Sequence, residues 1–236
     1  MPSAEHPLVE IYRQYAALTA TLLLNPQSGL GGKLLYVGEI DDLGRTILLA
    51  ANIAGAASLA AAADPAIQRA AIRDGVVDFF VTSLEEALRI LKNEIRKHQA
   101  VSVGVSVSAE ALTASMLERG VLPDLISASV PGRETFLKDG TLTVLPTEID
   151  NFTTWSVDSQ FARWMPRLDA HVQSVIPADD LIRQRWLRLA PRYLGRMAQR
   201  EHGIALTQSE ADTVRESLAA LPATYPNEPP VSITVS

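Results

Sequence analysis

Apolar positions recur at helical spacing over residues 8–24, where Ile11, Tyr15, Leu18 and Leu22 share one face. The turn cluster NPQSGLGG (25–32) ends that helix. From there short apolar runs alternate with longer amphipathic ones. KLLYVG (33–38), ASLAAA (57–62), VVDFFV (76–81), AVSVGVSV (100–107) and PDLISAS (123–129) read as strands. The alanine-rich run is poor strand material by propensity, and its position between helices makes the case. One intervening helix starts near Leu43. A second starts at Asp64-Pro65, with the aspartate as cap and proline at the first helical position. A third starts at Ser83, where Ser83 and Glu86 form a capping box and Leu84, Ala87, Leu88, Leu91 and Ile95 share a face. A fourth spans 109–119 and stops at Gly120.

Strands alternating with helices in this way predict an α/β fold with a doubly wound parallel sheet. Right-handed crossovers put the loops that follow the strands on one edge, where ligands of such sheets bind. That edge comprises residues 38–44, 62–64, 82–83, 106–108 and 127–133. After Ser129 the pattern changes. TFLKDGTLTVLP (135–146) reads as a hairpin turning at Asp139-Gly140. Residues 153–220 read as all-helical, broken by Pro166, Pro177 and Pro191. Residues 223–236 read as a loose, proline-rich tail. The expected organisation is a sheet domain over 1–150, a helical appendage over 151–222 and the tail.

Composition narrows this little. A chain of 236 residues suits one large domain or a domain with an appendage. The net charge of −6 argues against a general nucleic-acid binder. The absence of cysteine excludes disulfides, thiolate zinc sites and a cysteine nucleophile, and fits a reducing cytoplasm. No signal peptide is expected. Thr46–Ala63 carries no charge, but it is mostly alanine with Asn52 and Gly55 inside it, so it reads as a buried helix, turn and strand rather than a membrane span.

Several stretches carry a resemblance. IYRQYAAL, SGLGGKLLYVG, LAANIAGA (49–56), ADPAIQRAAIRDGVVD (63–78), SLEEALR (83–89), SVGV (102–105) and RGVLPDLIS (119–127) occur in an order and spacing that resemble the central NAD-binding domain of urocanase (urocanate hydratase). The likeness runs from residue 8 to about 130 and implies a Rossmann-like fold. It also implies NAD as the possible cofactor. The departures point the other way. In urocanases the loop after the first strand is dominated by glycine. Here that loop is Glu39–Ile47, and Gly44 alone remains. Carboxylates at Glu39, Asp41 and Asp42 would crowd and repel a pyrophosphate. Ala62 stands where the family places a ribose-binding acid, and SASVPGRETF (127–136) lacks the acid of the family's substrate loop. The resemblance therefore implies fold and ancestry, with no tight NAD binding and no urocanate hydration.

The candidate ligand-contacting residues are Gly38, Glu39, Asp41, Asp42, Gly44, Arg45, Asp64, Ser106, Ser127, Ser129 and Arg133. For Asp41 and Asp42 two readings stand: capping of the following helix, or contact with a ligand or cation. Asp64 is either a helix cap or a ribose contact. Arg45 is placed to offset part of the repulsion between the carboxylates and a phosphate. No catalytic residue is assigned. His6, His98, His171 and His202 lack metal-ligand spacing, so no metal site is expected. Arg185, Arg188, Arg192, Arg196 and Arg200 would form a stripe on one continuous helix, a premise that Pro191 weakens. Trp155, Trp164 and Trp186 read as core or as an interface. The functional expectation is a small metabolite or nucleotide bound at the strand ends, with self-association through the C-terminal helices and no nucleic-acid or membrane partner. A lyase or oxidoreductase and a non-catalytic scaffold are the alternatives.

Overall fold

The computed structural model describes residues 6–21, 25, 27–146 and 148–236. The sequence-based readings of residues 22–24 and Pro26 lie outside these. The chain divides into two compact units, Arg13–Thr147 and Met1–Tyr12 with Glu148–Ser236, and the division falls inside helix α1 (Pro7–Thr21).

The first unit is a six-stranded sheet in the order β3-β4-β2-β1-β5-β6, with every pairing parallel. Its elements are β1 (Leu34–Glu39), α2 (Asp42–Ala54), β2 (Ala57–Ala61), α3 (Pro65–Arg73), β3 (Phe79–Val81), α4 (Leu84–Arg96), β4 (Val101–Val105), α5 (Ala109–Glu118), β5 (Leu125–Ser127), α6 (Arg133–Lys138) and β6 (Leu142–Val144). Strand side chains alternate between faces. Leu34, Tyr36, Leu59, Val103 and Ile126 point to one face and pack with Leu91 of α4, Leu112 and Met116 of α5 and Phe136 of α6. Helix α2 lies on the other face, where Asn52 accepts a hydrogen bond from Ser102 of β4 at 3.0 Å. Connections leaving β1 toward β2 thus use one face, and those reaching β5 and β6 use the other. The reversal lies between β1 and β5, the point of a doubly wound sheet at whose C-terminal strand ends ligands usually bind. This is the doubly wound, Rossmann-like sheet expected from the alternation of elements.

Three local readings change. The expected hairpin over 135–146 is instead α6 followed by β6, which runs parallel to β5 with Leu125 opposite Leu142. Asp139-Gly140 closes the helix, with Gly140 at φ 93°. An Asp-Gly pair serves a left-handed helix end as readily as a hairpin turn, and burial of Phe136 decides between them. The third strand is only Phe79–Val81, because the amides of Val76 and Val77 bond to Ala71 O at the end of α3. Ser83 caps α4, and the Glu86 carboxylate, besides reaching back to the Ser83 backbone, accepts from Thr82 N at 2.9 Å.

The second unit is not all-helical. It holds a three-stranded antiparallel sheet in the order β8-β7-β9, built from β7 (Phe152–Val157), β8 (Glu201–Ala205) and β9 (Ile233–Val235). Its helices are α7 (Met165–Val175), α8 (Leu181–Tyr193) and α9 (Gln208–Ala220). In β7, Thr153, Trp155 and Val157 are buried while Phe152, Thr154 and Ser156 are half-buried, a period of two. Residues 233–235, expected in a loose tail, are the third strand. All three tryptophans are buried within the chain, with Trp155 at 0% exposure. Helix α8 runs through Pro191 and ends at Tyr193, so Arg196 and Arg200 leave the helix and the arginine stripe does not form. The proline sits in the last turn, where one lost amide bond is tolerated.

Phe136→Ala is expected to destabilise the first unit by about 3–5 kcal/mol, the usual cost of emptying a buried phenylalanine site. Phe79→Ala, at a side chain 50% exposed, is expected to cost less than about 1 kcal/mol. Urea midpoints followed by circular dichroism check both.

Candidate functional site

The site is built where β1 hands over to α2. Gly38 adopts φ 89° at an irregularity in the pairing of β1 with β2. A side chain there would also come within 3.2 Å of Val130 Cγ2, from the loop after β5. The chain then turns through Glu39, Ile40 and Asp41 into α2. Asp41 is the cap of that helix, with Oδ1 accepting from Gly44 N at 2.7 Å. Asp42 follows in the exposed first turn. Gly44 is required here: a Cβ at this position would run into the backbone oxygen of Glu39. The remaining glycine therefore serves the close approach of helix to strand.

Glu39 reaches a second helix. Its Oε2 accepts from Ala109 N at 3.2 Å, at the start of α5, beside the cap Ser108, whose hydroxyl accepts from Ala111 N at 3.3 Å. Burial pushes the Glu39 carboxyl above its ordinary range; the bond from Ala109 opposes this, while Glu110 and Asp41 add to it. Beneath it, the Tyr36 hydroxyl donates to Ala109 O at 3.1 Å and lies 2.9 Å from Thr113 Oγ1. Burial pushes that phenol up to about 12. Both helix N-termini at this edge, the positive ends of α2 and α5, thus carry a carboxylate from the chain itself.

At the end of neighbouring β5, Ser127 and Ser129 place their hydroxyls 2.9 Å apart, and Ser127 is buried. Arg133 is used within the same loop, donating to Ala128 O at 2.8 Å. Asp64, at the end of β2, caps α3 through Ala66 N at 2.7 Å. Ser106 follows β4 and bonds through its amide to Val81 O. Arg45, expected to offset part of the repulsion of a phosphate, pairs its guanidinium with Asp74 at 2.7 Å. The folded edge thus gathers Gly38, Glu39, Asp41 and Gly44 at the end of β1 with Ser127 on its neighbour, and Asp64 and Ser106 on the strands beyond. Tyr36, Ala109 and Thr113 were not singled out from the sequence. The signal available for Tyr36 was an aromatic hydroxyl within an otherwise aliphatic strand.

A model of the urocanase Rossmann-like domain matches residues 13–135, just over half of the chain. The chain belongs to the urocanase family. Within the matched segment, Gly44 is required by packing, and Glu39, Asp41 and Asp42 surround the start of α2. Among the described residues, no group of three or more His, Cys, Asp or Glu is placed to hold a metal ion, and no helix is long and apolar enough to cross a membrane.

Two outcomes follow for this urocanase-family edge. Asp41→Ala is expected to cost about 1 kcal/mol, as loss of a helix cap usually does, read by chemical denaturation. Glu39→Gln is expected to raise the melting temperature at pH 7. The raised folded-state pKa means that ionised Glu39 penalises the fold above that pKa, and that the penalty disappears below the unfolded value, near 4.3. The gain is therefore expected to shrink as pH falls toward 4. A constant difference across a pH series of melts would contradict this account.

Proposed function

We propose that this urocanase-family chain binds a small metabolite or modified nucleotide at the C-terminal ends of β1 and β5, and that it neither holds NAD tightly nor hydrates urocanate. The observation that carries this reading is the Asp41 carboxylate on the N-terminus of α2, bonded to Gly44 N at 2.7 Å. A dinucleotide pyrophosphate is held by free amides at such a helix end, assisted by the helix dipole. With Asp41 there, the amide is taken and the charge has the wrong sign. A carboxylate about 4 Å from a phosphate charge costs about 4 kcal/mol at an effective dielectric of 20, against about 8 kcal/mol for micromolar affinity. Arg45 gives no relief, because Asp74 holds it.

Purified protein, denatured and analysed by mass spectrometry, is expected to release no stoichiometric NAD, and calorimetric titration is expected to show no sub-micromolar affinity. Glycine at positions 39, 41 and 42 together is expected to increase NAD affinity. Copurified NAD, or tight binding lost on changing Gly44, would overturn the proposal. A thermal-shift panel of nucleosides, imidazoles and small acids then tests the ligand class.

One observation favours a second reading, a lyase or oxidoreductase. Asp41 and Asp64 are committed as caps. Glu39 is half-buried at the end of β1 with its carboxyl raised, the condition of a general acid. On that reading Glu39→Gln abolishes turnover of whichever panel compound is transformed, with the fold intact.

A further inference from the structure

The second unit contains a strand seat with an unusual occupant. Strand β7 is paired on one edge with β8, and its other edge holds β9. The register there is Trp155 opposite Val235, Ser156 opposite Thr234 and Val157 opposite Ile233. Thr154 and Ser236 extend it by exchanging both amide bonds, at 2.9 and 3.1 Å, and their hydroxyls lie 2.7 Å apart. The side chains of β9 contribute little to holding it, since Ile233 and Val235 are half-exposed and Thr234 is exposed.

Upstream, the chain is clamped. The Arg167 guanidinium lies 4.3 Å from the centre of the Tyr225 ring and 4.9 Å from that of Trp164. The same arginine bonds Glu228 at 2.7 Å. Between clamp and strand run Pro229, Pro230, Val231 and Ser232, for which no backbone–backbone hydrogen bond is found among the described residues. Two successive prolines hold the backbone extended and offer no amide donor.

We infer that the β9 edge of β7 is a strand-acceptor site that takes residues 233–236 of a second copy, exchanged about Pro229-Pro230. The seat is specified by main-chain bonds, and the same residues from another copy make the same bonds. Only the connecting segment distinguishes the two arrangements. A short, stiff connection gains little flexibility from folding back and permits exchange between copies, the usual condition for swapping an element. The clamp at Tyr225 and Glu228 stays with its own copy, so exchange leaves the helices of the unit in place.

The absence of native cysteine makes the test unambiguous. A directly opposed antiparallel pair that exchanges both amide bonds has its Cα atoms about 5.5 Å apart, within disulfide range. Thr154→Cys and Ser236→Cys are introduced into separate chains of residues 1–236, mixed, and oxidised with oxidised glutathione over a concentration series. Exchange brings position 154 of one chain against 236 of the other, so it raises that disulfide above the level of random pairing. It is expected to exceed like-with-like disulfides in peptide mass maps, to increase with concentration, and to fall when Pro229 and Pro230 are both glycine. The chain carrying both cysteines reports whether the pair is close enough to bond. If that chain closes only on itself and the mixture gives no 154–236 disulfide above like-with-like products, the inference fails. A mixture that gives no disulfide of any kind fails it equally.

Discussion

The C-terminal edge of the parallel sheet depends on one close approach, that of the first turn of α2 to the end of β1. The turn passes so near the backbone oxygen of Glu39 that no side chain fits at Gly44. That approach aims the helix N-terminus at the strand end and leaves its first amides without helical partners. Asp41 satisfies one of them and places a negative charge at the positive end of the dipole.

Glu39 extends the same solution to a second helix. Its bond to Ala109 ties the β1–α2 turn to the start of α5, and Tyr36 reaches the carbonyl of that same residue from below. The connection after β1 and the one after β4 are thereby coupled through one residue of α5. The cost is a carboxylate held partly out of water near Glu110 and Asp41, which accounts for its raised pKa. An edge closed by its own carboxylates has a different electrostatic character from one built to cradle an anion.

The second unit uses acids differently, as hubs joining elements that are distant in sequence. Asp169 accepts from Trp155 at 3.0 Å and lies 2.7 Å from His202 Nδ1, linking α7 to β7 and β8. Glu210 takes two bonds from Arg183, joining α9 to α8. Removing one member of such a half-buried set leaves the others unsatisfied, so polar bonds as well as the buried tryptophans tie these elements together.

What the sequence determined is what short-range physics decides. The strands up to residue 127, the helices between them and the caps Asp41, Asp64 and Ser83 depend on neighbours a few residues away, and alternation of such elements leaves few topologies. The urocanase domain match covers this same stretch, residues 13–135. Tertiary structure decided the rest, because the deciding partners are far apart along the chain. Phe136 makes residues 133–138 a helix by packing against Tyr36, with rings 6.2 Å apart. The run FTTWSV already had the composition of a strand, but only its partners, residues 201–205 and 233–235, make it one. Arg45 turns to Asp74 rather than to its own helix start, and Glu39 caps a helix that begins 70 residues later. A side chain's type and spacing state which bonds it can make; which of them it makes depends on what the fold brings within about 3 Å.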